Sequence, residues 1–550
     1  MVVLLTFPAA MTSCLKKLSF VVIAFGAAFT SASAVDKPNF IFILCDDLGY
    51  GDVKCLNPQG KIATPNMDRI AKEGIIFTDA HTPSSVCTPT RYGTLTGRYN
   101  WRTRLQKGVL GGLSPHLIDT GRMTVASMLK AQGYHTAAIG KWHLGMDWKI
   151  KEGQTVSGLT IESPDQAWSV DFTQPATNGP NAFGFDYYFG ISASLDMVPY
   201  CFIENTRVTA QPTEDRALEM VQGEDTRFTR KGPAAPGFTG YEVLPTLTDK
   251  ATAYIGEKAA DAKAGKPFFI YLPLASPHTP ILPNPEWRGK SGLNQYGDFV
   301  METDAAVGRV LKALDDHGLT ENTVVIFTSD NGCSPSADFP ALLAKDHNPS
   351  AKLRGHKADI YEGGHRVPFL VRWPAKVKAG QTSARLACLT DFLATAADIT
   401  GAPLPENAAE DSFSFLPALM GQAVGDSVRP SIVHHSIQGH FAIREGKWKL
   451  ALCPGSGGWS DPRPGTEPKD APRVQLFDLE ADLGEQTNLS ARHPEIVAGL
   501  TKKLEILIAN GRSTPGANQS NDVPVEILKK PEPPKGNKPK KGNKTKKGEK

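Results

Sequence analysis

Long apolar stretches are scarce in this sequence of 550 residues. The longest, residues 18–30, is shorter than the roughly 20 residues that a membrane-spanning helix needs, so we expect no membrane span. It follows two lysines and precedes the small residues Ser31–Ala34, a pattern typical of a cleavable export signal. We therefore predict a signal peptide over residues 1–34, cut after Ala34, and a secreted or periplasmic protein.

Cysteine is also rare, with eight in the chain. Neither a C-x-x-C pair nor a zinc-type spacing of cysteine and histidine occurs. Cys14 lies in the predicted leader, which leaves seven cysteines in the mature chain. An odd number leaves at least one thiol unpaired, and we predict no disulfide connectivity.

The net charge is small, +3 from 60 Lys and Arg against 57 Asp and Glu, but it is unevenly distributed. Residues 529–550 carry +8 and the leader carries +2, which leaves −7 for residues 35–528. A mildly acidic body argues against a nucleic-acid-binding surface, and we expect no nucleic-acid partner.

Predicted strands and helices alternate along most of the chain. Residues 39–44, 267–272 and 323–328 are apolar runs typical of strands buried on both faces, and residues 297–317 form an amphipathic helical pattern. This alternation predicts an α/β fold with a large, mostly parallel sheet sandwiched by helices.

The pattern changes towards the C-terminus, where short alternating strands precede a predicted helix at residues 494–509. We expect a smaller C-terminal α+β subdomain there. The predicted organisation is a signal peptide at 1–34, a main domain at 35–425, the subdomain at 426–512, and a linker with a disordered lysine-rich tail at 513–550.

Unusual polar side chains follow four of the predicted strands. In open α/β sheets, ligands bind beyond the carboxyl ends of the strands, so these side chains mark a candidate site. They are Asp46 and Asp47, Lys141 and His143, His278, and Asp330 and Asn331.

Four of these residues, Asp46, Asp47, Asp330 and Asn331, offer only oxygen as a ligand atom. Oxygen ligands suit Ca²⁺ or Mg²⁺ rather than zinc, and three carboxylates brought together would repel one another without a cation. Since Ca²⁺ tolerates irregular protein cages better than Mg²⁺, the sequence favours a single calcium ion.

A further motif, Cys-Thr-Pro-Thr-Arg at residues 87–91, is followed by Leu95–Arg98 (LTGR). Pro89 in the first turn and Gly97 as a stop predict a helix that begins near Cys87. A helix N-terminus favours a tetrahedral anion, and Arg91 adds a bidentate donor for anionic oxygens.

With these motifs, nearly the whole mature chain resembles the type I sulfatases of the alkaline phosphatase superfamily. The core C-x-P-x-R is present, with threonine at position 90 where the family most often has serine. Further segments that carry the resemblance are Gly140–Gly145 (GKWHLG), Ser276–His278 (SPH), Ser329–Gly332 (SDNG) and Leu353–Pro368 (LRGHKADIYEGGHRVP).

The resemblance implies that residues 35–425 are a catalytic domain with an alkaline phosphatase-like fold, and that a formylglycine-generating or sulfatase-maturing enzyme oxidises Cys87 to Cα-formylglycine. One hydroxyl of the aldehyde hydrate attacks sulfur, and the other expels sulfate. The resemblance further implies that the four oxygen ligands hold the Ca²⁺.

Roles for the remaining site residues also follow from the resemblance. Arg91 positions the hydrate, and Asp330 takes its proton. Lys141 and Lys357 neutralise sulfate oxygens. His278 is the candidate acid for the leaving alcohol and His143 the candidate base for the elimination of sulfate. The expected substrate is a sulfated carbohydrate or a small sulfate ester.

Two alternatives stay open at this point: a phosphoester or phosphonate ester hydrolase of the same superfamily, and a non-catalytic glycan-binding relative. The single metal cage favours sulfate over phosphate, and the retained nucleophile and metal ligands favour an enzyme. Four other histidines, His81, His135, His317 and His347, are expected to be surface or capping residues.

Overall fold

The computed structural model describes residues 37–222, 225–422 and 429–529. The predicted signal peptide and residues 530–550 of the predicted tail lie outside this range. None of the helices in the described ranges is both long enough and apolar enough to cross a membrane.

A ten-stranded mixed sheet forms the centre of the fold, in the order β15-β2-β14-β13-β1-β12-β4-β5-β6-β7. Shorter sheets pair β8 with β11, β9 with β10 and β3 with β16, and β17–β20 form a four-stranded sheet. The strands are β1 Asn39–Cys45, β2 Ile75–Phe77, β3 Ala80–His81, β4 His135–Lys141, β5 Tyr187–Ile191, β6 Ile203–Glu204, β7 Arg207–Val208, β8 Glu214–Arg216, β9 Glu219–Gln222, β10 Asp225–Phe228, β11 Gly232–Ala234, β12 Phe268–Pro273, β13 Thr323–Ser329, β14 Phe369–Arg372, β15 Gln381–Ser383, β16 Ala387–Cys388, β17 Ile432–His435, β18 Phe441–Glu445, β19 Trp448–Ala451 and β20 Gln475–Asp478.

The centre of the large sheet is parallel, as the alternation of strands and helices predicts. Strand β1 pairs in parallel with β12 and β13, and β4 pairs in parallel with β12 and β5. Towards the edges the sheet becomes antiparallel, at β14 and β2 on one side and at β6 and β7 on the other. Five central strands therefore point their carboxyl ends to the same edge.

Helices cover both faces of the large sheet. Along β1, Ile41 and Ile43 belong to the core under one face, and Phe40 and Phe42 belong to the core under the other, because successive side chains of a strand point to opposite faces. Contacts group α1, α4 and α5 together, and α2, α3 and α8 together. The helices are α1 Pro65–Lys72, α2 Cys87–Thr96, α3 Val125–Ala131, α4 Val243–Lys263, α5 Gln295–Asp316, α6 Phe339–Leu343, α7 Glu362–His365, α8 Phe392–Thr400, α9 Leu416–Leu419 and α10 Pro494–Ala509.

The small sheet β17–β20 is an antiparallel meander, and α10 contacts its strands β18 and β19. Leu500 and Leu504 of α10 are buried in a core shared with strand residues such as Ile443 and Leu450. These elements lie where the sequence predicts the α+β subdomain; the boundaries of that subdomain stay a prediction.

Residues 513–529, predicted as part of a linker, make side-chain contacts with the region around α2. Arg98 forms a 2.9 Å ion pair with Asp522, and Arg102 donates to Asn521 Oδ1 at 2.9 Å. Both arginines are fully buried, and such charges need polar partners. Residues 513–529 therefore supply polar partners for two buried arginines. The turn-rich composition of this segment does not predict these contacts.

Candidate active site

The carboxyl ends of four adjacent strands form the site. In the sheet order β13-β1-β12-β4, Asp330 and Asn331 follow β13, Asp46 and Asp47 follow β1, His278 lies beyond β12, and Lys141 and His143 lie at the end of β4. These four strands are parallel, so their ends meet at one edge. The structure thus brings together all seven residues that the strand-end pattern predicts.

Three cations face the three carboxylates of this edge. Lys141 Nζ lies 2.5 Å from Asp46 Oδ2, and Lys357 Nζ lies 2.6 Å from Asp47 Oδ1. Arg91 Nη2 lies 2.7 Å from Asp330 Oδ2. Each of the three buried carboxylates therefore has a cationic partner. Such pairing is expected, because an unpaired buried charge is strongly destabilising.

Arg91 links the two carboxylate-bearing strand ends. Its Nη2 atom also lies 3.2 Å from Asp46 Oδ2, and its Nη1 donates to the main-chain oxygen of Lys141 at 2.9 Å. The guanidinium fork therefore fixes the end of β1, the end of β4 and Asp330 in one geometry, which a lysine could not do.

Asp47 is surrounded by donors. Asn331 Nδ2 donates to Asp47 Oδ1 at 2.7 Å, and His278 Nε2 lies 3.6 Å from Asp47 Oδ2. The Nδ1 atom of His278 lies 2.6 Å from the main-chain oxygen of Thr279, so the Nε2 atom is the one that faces the site. Asp47 itself has a left-handed backbone, with φ of 65°. Such strain clusters at functional sites.

Two oxygens of this cluster lack a donor. Among the described residues, none donates a hydrogen bond to Asp46 Oδ1 or Asn331 Oδ1, although both atoms are buried. Buried oxygens without donors carry a desolvation penalty that a hard cation would remove. Ligand atoms of Asp46, Asp47 and His278 lie within 4.8 Å of one another, so the donor set fits a cation held mainly by oxygen.

The two carboxyl groups that contact Arg91 have opposite tendencies to bind a proton. Burial and the charge of Asp46 raise the pKa of Asp330 to about 7. Burial would also raise the pKa of Asp46, but nearby cations, Lys141 foremost, hold it well below its usual range. Paired carboxyl groups with separated pKa values suit a division of labour between binding and proton transfer.

Cys87 is the first residue of α2, at the helix N-terminus that the sequence predicts. It is 2% exposed, and Arg91 follows one turn later. Burial raises the pKa of the Cys87 thiol, against the opposing charges of Lys141 and Lys357. The unmodified side chain is therefore a buried thiol and not the thiolate that a cysteine nucleophile requires.

His143 has one nitrogen bound and one without a partner. Its Nε2 atom lies 2.8 Å from the main-chain oxygen of Leu110 and serves as the donor, while the buried Nδ1 atom has no hydrogen-bond partner among the described residues. Burial and the charge of Lys141 hold the pKa of His143 well below its usual range. The ring is thus neutral with a free acceptor nitrogen. Leu110 leaves no sequence signal because its contact is through the main chain.

Two histidine predictions were wrong. His81 and His347 are fully buried, whereas we expected surface or capping positions. His347 Nε2 lies 2.8 Å from Asp52 Oδ1, and His81 contacts Asp79 at 2.8 Å and His365 at 3.1 Å. Carboxylates and a second histidine bind ring nitrogens of these buried histidines. Asp79 is close to His81 in sequence, but His365 and Asp52 are remote from the histidines that they contact.

Gly332, directly after Asp330 and Asn331, allows a close approach of two chain segments. Its N–H donates to Gly364 O at 3.0 Å, and a Cβ on Gly332 would lie 1.8 Å from Gly363 O. We expect Gly332→Ala to lower the free energy of unfolding by about 1–3 kcal/mol, since the backbone must shift. Urea denaturation measures this change.

The matched control is Gly499→Ala in α10, where an added Cβ meets nothing within 4 Å. That variant should raise the free energy of unfolding by about 0.5–1 kcal/mol, because alanine is the better helix former. An equal change in the free energy of unfolding at both positions would show that the close approach at Gly332 does not affect stability.

Comparisons with known proteins agree on one family. The Sulfatase family model matches residues 38–402. N-acetylgalactosamine-6-O-sulfatase of Bacteroides thetaiotaomicron is 35% identical over 520 residues, covering 85% of this chain and 93% of that protein. Human arylsulfatase A is 33% identical over 500 residues, covering 88% of this chain and 90% of its own length.

A solved structure shows the same agreement in three dimensions. It comes from work on the metabolism of multiple glycosaminoglycans by Bacteroides thetaiotaomicron, and it superposes with a TM-score of 0.71 at 33% identity. The match covers 86% of this chain and 99% of that one.

Proposed function

Because the chain belongs to the sulfatase family and is a sulfuric ester hydrolase, we propose that it removes sulfate from a carbohydrate using formylglycine at position 87 and one bound Ca²⁺. The observation that carries this proposal is that Cys87 interacts electrostatically with Lys141, Lys357, Asp46 and Asp330. In the same cluster two buried oxygens, of Asp46 and Asn331, lack a donor among the described residues. The identity to an N-acetylgalactosamine-6-O-sulfatase supports a sulfated sugar as the substrate.

The calcium ligands in this proposal are Asp46, Asp47, Asp330 and Asn331. Bound calcium would polarise a sulfate oxygen as a Lewis acid. Arg91 holds Asp330 and Asp46 in place through the contacts described above. The four residues supply carboxylate and amide oxygen, the ligand type that Ca²⁺ prefers.

Oxidation of Cys87 to formylglycine would supply a hydrated aldehyde. One of its hydroxyls would attack sulfur as the S–O bond to the alcohol breaks, and the other would then lose its proton and expel sulfate as the aldehyde re-forms. In this proposal, Asp330 accepts the proton of the attacking hydroxyl. Lys141 and Lys357 offset the negative charge of the sulfate oxygens, which is electrostatic stabilisation of the oxyanion-hole type.

The two histidines have geometries that support opposite proton roles. His278 presents Nε2 to the site and uses Nδ1 on a carbonyl, so a proton on Nε2 makes it a cationic acid for the leaving alcohol. His143 is neutral and keeps Nδ1 free, as the base for the elimination of sulfate requires.

Export and maturation complete the proposal. Residues 1–34 would direct export, and a formylglycine-generating or sulfatase-maturing enzyme would act on Cys87 within C-T-P-T-R. Peptide mass spectrometry tests the modification directly, because conversion lowers the mass of the peptide by about 18 Da. A peptide of unmodified mass from enzyme that hydrolyses sulfate esters would overturn the formylglycine proposal.

The calcium proposal predicts a stabilisation that does not depend on activity. Calcium at about 100 times its Kd should raise the free energy of unfolding by about 2.7 kcal/mol over chelator-treated protein. Thermal and urea unfolding with and without calcium measure this difference.

The test variant is Asp46→Asn, which should lose most of the calcium response. The control is Asp398→Asn, an exposed carboxylate in α8 that should keep the full response. A calcium response in Asp46→Asn as large as in the wild type would remove Asp46 from the metal site.

A further inference from the structure

A cleft of about 1160 Å³ lies outside the set of residues that form the candidate active site. Its volume exceeds the about 300–1,000 Å³ of typical small-ligand pockets. Parts of four segments line it: residues 104–109, 159–161, 437–440 and 523–529. The N–H of Gly108 donates to the carbonyl of Ile437 at 2.7 Å, so two of these segments are joined. The cleft has room for more than one sugar unit.

Two of the segments that line the cleft lead to residues that contact the site or its neighbours in sequence. Segment 104–109 leads into Leu110, whose carbonyl contacts His143 and whose N–H donates to Thr88 Oγ1, next to Cys87, at 3.3 Å. In the loop 437–440, the Ile437 N–H donates to Ala358 O, next to Lys357, at 3.1 Å. A chain-like substrate could therefore extend from the site into the cleft.

The charges of the cleft are of one sign. Its titratable lining consists of Arg104, Lys107, His440 and Lys529, and no aspartate or glutamate lines it in the described part of the chain. We call this surface the basic cleft. It contrasts with the net charge of −7 on residues 35–528. A cationic concave surface on an acidic body indicates an anionic ligand.

Lys107 and Lys529 have no carboxylate partner within 4 Å among the described residues. Neither lysine occurs in an ion pair there. Burial lowers the pKa of Lys529, Glu526 opposes this effect, and the charge of Lys107 lowers it further. Two ammonium groups that repel each other in a cleft would both be stabilised by an anion between them.

Apolar side chains supply the rest of the lining. Leu159 is 40% exposed, and Val109, Ile161 and Ile437 lie beside it. Exposed apolar groups rimmed by polar residues mark ligand-binding grooves. Arg104 is held in place by three main-chain oxygens, of Gly158, Pro115 and His116, at 2.7–3.1 Å. Burial lowers the pKa of Arg104, and the three uncharged oxygens orient the guanidinium without neutralising its positive charge.

We propose that the basic cleft binds the anionic sugars next to the one that carries the scissile sulfate, with Lys107 and Lys529 contacting their carboxylate or sulfate groups. The inference rests on the proposed function, since it names the substrate class of that site as an oligomeric or polymeric polyanionic glycan. The neighbouring sulfatase site favours a sulfated glycan over a nucleic acid as the polyanion.

Binding tests the inference separately from hydrolysis. The full-length Cys87→Ala variant, which cannot turn over substrate, is titrated calorimetrically with a chondroitin 6-sulfate hexasaccharide and with N-acetylgalactosamine 6-sulfate. Adding Lys107→Ala and Lys529→Ala should weaken hexasaccharide binding about tenfold, because each exposed ion pair contributes modestly. Binding of the monosaccharide should change less than twofold.

The matched control is Lys72→Ala, an exposed lysine on α1 that lines no part of the cleft. It should leave both affinities at their original values. Equal hexasaccharide binding with and without Lys107 and Lys529 would overturn the inference. So would an equal loss of affinity for an oligothymidylate of the same charge, because the cleft would then be a general polyanion surface.

Kinetics separate a failure of this inference from a failure of the proposed function. In the mature enzyme, the double lysine variant should lower kcat/KM for the hexasaccharide about tenfold relative to kcat/KM for the monosaccharide, mostly through KM. If wild-type enzyme hydrolyses neither sugar while the lysines still govern hexasaccharide binding, the proposed function fails and the basic cleft stands. If both sugars are hydrolysed and the ratio is unchanged, the basic cleft is overturned.

Discussion

Replacing Cys87 with alanine should lower kcat/KM for a sulfate ester by about 10⁴-fold or more, because position 87 supplies the covalent nucleophile in the proposed mechanism. Cys87 is buried at the start of α2, and the shorter alanine side chain fits the same helix position. We therefore expect the variant to fold, with a circular dichroism spectrum like that of the wild type. Hydrolysis of 4-nitrophenyl sulfate measures the activity.

A second cysteine variant tests whether the loss of activity is specific to position 87. Cys55→Ser changes a half-buried thiol outside the site and should keep activity within about twofold. Full activity in Cys87→Ala would remove the residue from the mechanism. A loss of activity in both variants would show that the enzyme is sensitive to cysteine replacement in general.

Replacing Arg91 with alanine should lower the free energy of unfolding of calcium-free protein by about 3–5 kcal/mol. The guanidinium is fully buried and contacts both Asp330 and Asp46. Removing it leaves Asp330 Oδ2 without its charged partner in a dry environment. Urea denaturation in the presence of a chelator measures the loss.

Calcium should reduce the loss of unfolding free energy in Arg91→Ala, since an ion bound to Asp46 and Asp330 restores positive charge beside them. The matched control is Arg429→Ala, which breaks another buried ion pair, with Asp391. That variant should be similarly destabilised with no extra calcium response. A loss below about 1 kcal/mol in calcium-free Arg91→Ala would show that Asp330 does not depend on Arg91.

The strand ends were predictable because two simple rules apply to them. An apolar run such as β1 is recognisable as a buried strand, and parallel strands bring their carboxyl ends to one edge. Asp46, His278 and Asp330 therefore could be placed together without knowing the fold in detail. The motif around Cys87 predicted the helix that begins there and the position of Arg91 one turn later.

The pairing of charges was not predictable in the same way. Nothing in the sequence says that Lys141 lies against Asp46 or that Lys357 lies against Asp47, because such contacts depend on side-chain positions in the folded site. The antiparallel direction of β14 was also not predictable, because an apolar run predicts a buried strand but not the direction in which that strand pairs.

The buried histidines His81 and His347 show a different limit. A histidine in a polar sequence context looks like a surface residue, and its burial depends on a carboxylate or a second histidine that satisfies the ring nitrogens. For His347 the partner is Asp52, nearly three hundred residues earlier in the chain. Local sequence cannot carry that information.

The burial of Cys87 has a consequence for the timing of biosynthesis. The thiol is 2% exposed and every residue of α2 is buried, so no modifying enzyme can reach it in the folded protein. On the proposed mechanism, oxidation must therefore precede the packing of α2 and competes with folding. A chain that folds first is trapped as a stable molecule without a nucleophile. The active fraction of a preparation is then set by the ratio of two rates rather than by the affinity of the maturing enzyme for native protein.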